Sequence, residues 1–380
     1  MRAEEGGRNV DGRIPNGGDG TARYEPPRYR RNPRPIGLHP MQIPDLHVNT
    51  TAFLCVEQDG GAEARPRATA FFVIDRSGSE PHPVWAVTGR HCVENARATG
   101  RQVYLRVNTR DSYVDVPTDP DDWYVSDEAD VAAARWLGPS ECTVTSVPLD
   151  QFIDEDFRYR GANDFPMPAE LVKAGGQLVQ VGHEVFFVGL FSQHAGKRRN
   201  LPIVRFGNIS RPPLEPVAVR LSDDPADESV TDIHGYLVEA RSWGGHSGSP
   251  AFWYWPGVQA TFIPDPRVKS MTRNERRRLN LSGDSQIPVS REFGVLALLG
   301  LVSAHFDIEQ EARTLGDVVG KIFLGVNAGI AVVTPAHYIR RLIEREDVVE
   351  DGARYNGRPS PELAATFDVY GAIGSAGGNS

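Results

Sequence analysis

Arg241-Ser242-Trp243-Gly244-Gly245-His246-Ser247-Gly248-Ser249-Pro250-Ala251-Phe252 is the segment from which the rest of the chain can be read. Two glycines, a serine, a further glycine and a proline make a tight turn whose backbone reaches conformations closed to bulkier residues. The turn runs into Ala251-Phe252-Trp253-Tyr254-Trp255, an apolar and aromatic run with the pattern of a buried strand. A serine on such a turn stands exposed while neighbouring N–H groups converge on one point. Acyl transfer needs that arrangement, a nucleophile beside donors for a developing oxyanion. On its own, Gly-x-Ser-Gly is equally a plain turn between strands, so the decision falls to what else the chain supplies.

Two other stretches supply it. Trp85-Ala86-Val87-Thr88-Gly89-Arg90-His91-Cys92-Val93 is a strand running into a histidine, and Asp130-Val131-Ala132-Ala133-Ala134-Arg135-Trp136-Leu137 is an aspartate opening an apolar run. A serine alcohol becomes a competent nucleophile when a histidine takes its proton, and the histidine needs a carboxylate to fix its tautomer and stabilise its charged form. Asp127 and Glu128 lie close by as alternative acids, but only Asp130 directly starts the apolar run. The order His…Asp…Ser differs from the Ser…Asp…His of α/β-hydrolases.

Thr88-Gly89-Arg90-His91-Cys92, Asp130-Val131-Ala132 and Gly245-His246-Ser247-Gly248-Ser249-Pro250 together resemble the motifs of trypsin/chymotrypsin-like serine peptidases, in order. The likeness is to bacterial-type members without a zymogen N-terminus or a PDZ domain, and it extends thinly from about residue 48 to 345. It implies an all-β fold of two six-stranded antiparallel β-barrels with a C-terminal helix, His91 and Asp130 standing on loops of the first barrel. It also implies roles: Ser247 as nucleophile, His91 as general base and then acid, Asp130 holding the imidazole, and the N–H groups of Gly245 and Ser247 forming the oxyanion hole. Ser303 matches a serine that supports the aspartate; an ordinary strand serine is the competing reading. Arg241 falls at the pocket floor, and Ala304-His305 replaces a Trp-Gly pair on the pocket wall. Arg241 and His305 together point to an acidic side chain before the scissile bond. His246 stands where activatable relatives carry an aspartate that pairs with a freed N-terminus, and no Ile-Val-Gly-Gly start exists, so activation by N-terminal cleavage is not expected.

Composition agrees with a turn-rich β protein. The 380 residues include 38 glycines and 29 prolines, with 40% hydrophobic residues. A formal charge of −9 argues against broad nucleic-acid binding by the whole chain. Three cysteines, Cys55, Cys92 and Cys142, cannot all pair and show no metal spacing; a reducing compartment fits them. The N-terminus lacks a signal-peptide core, and no run approaches the roughly 18 apolar residues of a membrane helix, so the expected setting is the cytoplasm, with no membrane partner. The chemistry calls for no cofactor and no metal, and the expected partner is a protein or peptide substrate.

In chain order, residues 1–45 read as a disordered tail, 46–145 as the first barrel and 146–175 as a connection with a short helix near 168–173. Residues 176–345 read as the second barrel and 346–380 as a second tail. Arg23 to Arg34 interleaves basic and aromatic residues that suit RNA or an acidic partner, a solvated tail being the plainer reading. Runs at 178–181, 184–189, 203–209, 235–240, 294–303 and 328–333 make a second set of six strands. The acidic stretch 222–228 and the polar insertion 256–290 read as solvated loops. Pro335 opens a closing helix over 336–344. Two other functions stay open on sequence alone: an idle protease-like binding module, and an α/β-hydrolase esterase, which needs a helix after the serine turn where Pro250 and the aromatic run predict a strand.

Overall fold

Strict alternation builds the first half of the chain. The computed structural model describes residues 43–355, apart from 59–61, 79, 163–168, 222–228, 241–244, 265–267, 269–270, 279–285 and 313–321. The basic N-terminal stretch, the acidic 222–228 stretch, Arg241 and the residues after 355 lie outside the described residues. Residues from Ile43 onward form one compact unit.

The first eight strands are β1 (Thr51–Gln58), β2 (Ala62–Ile74), β3 (Val84–Thr88), β4 (Val103–Asn108), β5 (Tyr113–Thr118), β6 (Tyr124–Val125), β7 (Ala132–Arg135) and β8 (Val147–Pro148). They form one sheet in the order β5-β4-β1-β2-β3-β7-β6, with β8 parallel to β2. Six longer strands carry it, and the two-residue pieces β6 and β8 are additions that sequence pattern alone does not reveal. Ala52 and Leu54, Ala70, Phe72 and Ile74, Val84 and Ala86, and Val103, Leu105 and Val107 recur at every second residue and meet in one core. The opposite face is buried too: Phe53 and Cys55 pack on Leu190 from the second half. Burial on both faces is why these strands read as unbroken apolar runs.

The connection contains β9 (Arg158–Tyr159) and β10 (Gln177–Leu178), which pair with each other. The sequence reading placed Leu178 in the barrel; Arg158 pairs with it instead, and Gly175 and Gly176, both with positive φ, lead into β10. The second half then continues with β11 (Glu184–Gly189), β12 (Ile203–Arg211), β13 (Val217–Val219), β14 (Thr231–Ile233), β15 (Tyr236–Glu239), β16 (Pro250–Pro264), β17 (Gln286–Ala312) and β18 (Ile322–Pro335). Six of these close into an antiparallel barrel, β11-β12-β15-β18-β17-β16. Val185, Phe187, Ile209, Val238, Ala251, Trp253, Ala297, Leu299, Ala331 and Val333 fill it. The strand after the serine turn is the feature that an α/β-hydrolase lacks at this point.

The 256–290 segment, read as a loop insertion, is entered and left by strand: β16 and β17 stay paired from Pro250↔Leu301 out to Pro264↔Gln286. A short helix, Arg273–Arg278, lies beyond. The helix Ala336–Ile343 buries Ala336, Ile339, Leu342 and Ile343, and Glu346–Tyr355, helical as well, falls in the stretch read as tail. Arg340 donates to the Leu149 carbonyl at 2.6 Å and Arg345 to the Val125 carbonyl at 3.0 Å, so the C-terminal helices clasp both halves. Among the described residues no helix is long and apolar enough to cross a membrane.

Candidate active site

His91 stands in the first turn of the helix Arg90–Thr99, not on a loop. The helix forms because β3 ends at Thr88, Gly89 takes an extended N-cap conformation, and Gly100 in the left-handed region stops it after Val93 and Ala96 have been buried. Gly89 also leaves room for the site. A Cβ there would lie 2.8 Å from His91 Cε1 and 3.1 Å from Asp130 Oδ2.

Asp130 is positioned by a turn built on Ser126, whose Oγ accepts from the N–H groups of Glu128 and Ala129 and whose N–H donates to the Val131 carbonyl. Arg90 Nη1 donates to the Ser126 carbonyl at 3.0 Å, tying that turn to the histidine helix. The result is a buried pair. His91 Nδ1 lies 3.0 Å from Asp130 Oδ1 and 2.9 Å from Oδ2, and the His91 N–H donates to Oδ1 at 3.0 Å. That carboxylate thus caps a helix N-terminus, where the helix dipole favours negative charge. Glu128, the nearby alternative acid, pairs with Arg341.

Electrostatics follow from this geometry. Burial disfavours charge on both partners, and their mutual attraction outweighs it. For His91, the Asp130 charge, the neighbouring Cys92 and hydrogen bonds to both raise the imidazole well above its ordinary 6.5. For Asp130, the facing His91, its hydrogen bonds and one from the Ser303 hydroxyl hold the carboxyl below its ordinary 3.8. Ser303 is itself buried on β17 and shares a 2.7 Å hydrogen bond with Thr334 Oγ1 on β18. A polar chain therefore runs Thr334–Ser303–Asp130–His91, from the barrel into the first half.

The serine turn is pinned by the first half as well. Thr69 on β2 donates its N–H to the Ser247 carbonyl at 2.9 Å and its hydroxyl to the Gly245 carbonyl at 2.9 Å. Its Oγ1 accepts from the Leu190 N–H at 2.9 Å, and its carbonyl accepts from Thr88 Oγ1 at 2.8 Å. Gly248 N–H donates to Val302 O at 2.7 Å. Gly248 has φ +79°, and a Cβ on it would sit 2.1 Å from Thr69 O, 2.3 Å from Thr88 Oγ1 and 3.2 Å from Gly89 N. The Ser247 turn thus packs on Thr88-Gly89, immediately before the helix that starts Arg90-His91. Among the described residues, the Gly245 and Ser247 N–H groups are not taken up by other groups, and no hydrogen bond joins the Ser247 hydroxyl to the imidazole. The atom beside His91 Nε2 is Cys92 Sγ, at 3.3 Å.

No protein-family model matches the chain. No curated protein matches it either. Among solved structures, the Rv3671c protease from M. tuberculosis in its active form is similar at 13% identity and TM-score 0.33, covering 79% of this chain and 81% of that one. Its inactive form gives 14% and 0.31, covering 79% and 89%. Similarity at that level assigns no role to any residue here.

Of the sequence-derived residues, His91, Asp130 and Ser303 are joined directly, and Ser247 and Gly245 are brought to the same seam through Thr69 and Gly248. Arg241 lies outside the described residues. His305 is on β17, cross-strand from Ala331 of the barrel core. Sequence reasoning passed over Thr69 and Thr334. The available signal was a lone hydroxyl inside an apolar strand, Thr69 between Ala68 and Ala70, and Thr334 after Val332-Val333.

Proposed function

We propose that the chain is a serine endopeptidase that hydrolyses protein or peptide substrates through an acyl-enzyme. The observation carrying this reading is the buried Asp130–His91 pair, with the Ser247 turn packed on Thr88 and Gly89 at the entry to the His91 helix. Asp130 keeps the proton of the imidazole on Nδ1, leaving Nε2 as the base. Nε2 accepts the Ser247 proton as Oγ attacks the scissile carbonyl carbon, and returns it to the departing amine as the C–N bond breaks. Water, deprotonated by the same nitrogen, then attacks the ester and frees Ser247. The Gly245 and Ser247 N–H groups receive the negative oxygen, each contributing about 2.7–4 kcal/mol to lowering the barrier. Ser303 holds the aspartate in place. No step uses a cofactor or metal. The three free thiols suit a cytoplasmic setting.

The test is labelling of the folded protein by a fluorophosphonate. Wild type is expected to label and Ser247→Ala to remain blank; a folded wild type that does not label refutes the reading. One observation favours a second reading, an idle binding module: His91 Nε2 faces the Cys92 thiol rather than the serine hydroxyl. Absence of labelling together with retained partner binding is its signature.

A further inference from the structure

Basic side chains that the reaction does not use lie within electrostatic reach of the serine turn. On β11, Val185 and Phe187 point into the barrel core, and Arg205 on β12 is the direct cross-strand partner of Phe187, so it shares that inner face. Two residues further along the same face, Gly189 offers no side chain. A Cβ there would lie 1.9 Å from Ser249 Oγ, 2.9 Å from Thr69 Oγ1 and 3.0 Å from His246 Nδ1, so Ser249 Oγ takes the space that Gly189 leaves and the His246 ring borders it. His305 faces inward opposite Ala331. Both Arg205 and His305 act electrostatically on the His246 ring.

His246 is 1% exposed, yet its Nε2 has no hydrogen-bond partner among the described residues, and the buried Arg205 Nε has none either. Folded proteins seldom keep buried donors idle. Ser249 Oγ lies 3.4 Å from His246 Nδ1, and with the hydroxyl as donor in that contact the ring proton sits on Nε2. Two nitrogen donors from β12 and the serine turn, one of them permanently charged, therefore lack an acceptor.

We propose that His246 Nε2–H and the Arg205 guanidinium form a binding site for a carboxylate, seated beneath the serine turn with His305 at its side. A carboxylate matches the donor set: two acceptor oxygens for two N–H groups, and one negative charge for Arg205. Burial, with Arg205 and His305 adding to it, pushes the His246 pKa down to about 4, so the ring by itself is neutral near pH 7. A bound anion acts in the opposite sense and raises that pKa. The carboxylate has two possible sources, an Asp or Glu side chain of the substrate, or an acid outside the substrate. The site itself does not depend on the peptidase reading; only its assignment to a source does.

Two measurements on the full chain test this. In the first, the His246 imidazole of Ser247→Ala is followed by NMR during addition of acetate or N-acetylglutamate amide, with N-acetylglutamine amide as the neutral control. The expected result is a saturable shift with the acids, the His246 pKa rising by about 1–3. The shift is absent with the glutamine analogue, lost in Arg205→Met and kept in Arg205→Lys. A response to the acids no larger than to the glutamine analogue overturns the site, whether or not the protein labels with fluorophosphonate. In the second, peptides differing only in Glu or Gln before the scissile bond are compared. A preference for Glu of about tenfold or more in kcat/KM, collapsing in Arg205→Met, puts the carboxylate on the substrate. Equal turnover combined with a fluorophosphonate labelling rate raised by acetate puts it outside the substrate. Equal turnover with no acetate effect in an enzyme that does label overturns a functional carboxylate site.

Discussion

Replacing Thr69 by valine removes one oxygen and leaves the shape, so it isolates what that oxygen does. The side chain is fully buried, and Oγ1 donates to Gly245 O and accepts from Leu190 N–H, both at 2.9 Å. Losing the first bond costs about 0.5–1.5 kcal/mol, and leaving the buried Leu190 N–H unpaired costs about 1–3 kcal/mol. The sum is about 1.5–4.5 kcal/mol, a large share of the roughly 5–15 kcal/mol that holds a typical domain together. The backbone bonds of Thr69 to Ser247 and Thr88 are untouched. The loss therefore falls on the peptide that carries Gly245, one side of the proposed oxyanion hole. If about 1.4 kcal/mol of it is felt at the transition state, fluorophosphonate labelling slows about tenfold. Urea unfolding followed by tryptophan fluorescence reads the stability term, and labelling kinetics read the other. Thr69→Ser keeps the hydroxyl and should recover both. A stability change below about 0.5 kcal/mol with an unaltered labelling rate refutes the view that the first half positions the serine turn.

Three further outcomes follow from the same geometry. Asp130→Asn presents an amide to His91 Nδ1 and favours the wrong tautomer, so labelling falls by about 10⁴ while the fold persists; a loss under about tenfold contradicts the pairing. Gly248→Ala meets Thr69 O at 2.1 Å from a left-handed backbone, and is expected to cost more than about 2 kcal/mol and to abolish labelling, as urea midpoints and probe fluorescence would show. Because only the neutral imidazole accepts a proton and His91 is raised above 6.5, the labelling rate climbs with pH with a midpoint above that value. On the stability side, the His91 contribution is complete below about 6.5 and is lost as pH rises through its raised value. The Asp130 contribution is present above 3.8 and is lost as pH falls through its lowered value. Urea midpoints of wild type and Asp130→Asn across pH check the sign: the gap is expected to widen as pH falls through the raised His91 value toward 6.5 and to close as pH falls below 3.8, and the opposite order contradicts it.

What the sequence made legible tracks how local each determinant is. The strand at Val84–Thr88 and the helix at Ala336–Ile343 announce themselves by an apolar run and by Pro335 with Ile339, Leu342 and Ile343 in helical spacing. The helix Arg90–Thr99 buries only Val93 and Ala96, so its period is hidden among polar residues, and His91 reads as a loop residue. The extension of β16 and β17 through a polar stretch was invisible because ladder bonds are made by the backbone, which pays no heed to side-chain polarity. Most of all, Thr69 finds Gly245 across 176 residues, a pairing no local pattern encodes. The residue types of the candidate site were legible because their chemistry restricts them; the supporting hydroxyls were not, because any strand can hold a threonine.

The division of labour between the halves bears on how the Cys92 contact should be understood. His91, Asp130, Thr69 and Thr88 come from the first half, while Ser247, Gly248, Ser303 and Thr334 come from the second. The imidazole is therefore held rigidly from its Nδ1 side by a buried carboxylate that Ser303 anchors, and its Nε2 side is left to whichever donor approaches. A thiol is a weak donor, so its 3.3 Å contact with Nε2 is worth less than the roughly 1 kcal/mol of an ordinary hydrogen bond. Turning the Ser247 hydroxyl toward Nε2 gives up little and gains a stronger partner, whereas disrupting the Nδ1 side would expose a buried charge at a cost of about 3–5 kcal/mol. The energetic asymmetry makes the thiol contact a displaceable one and the carboxylate pair the fixed element about which the site is assembled.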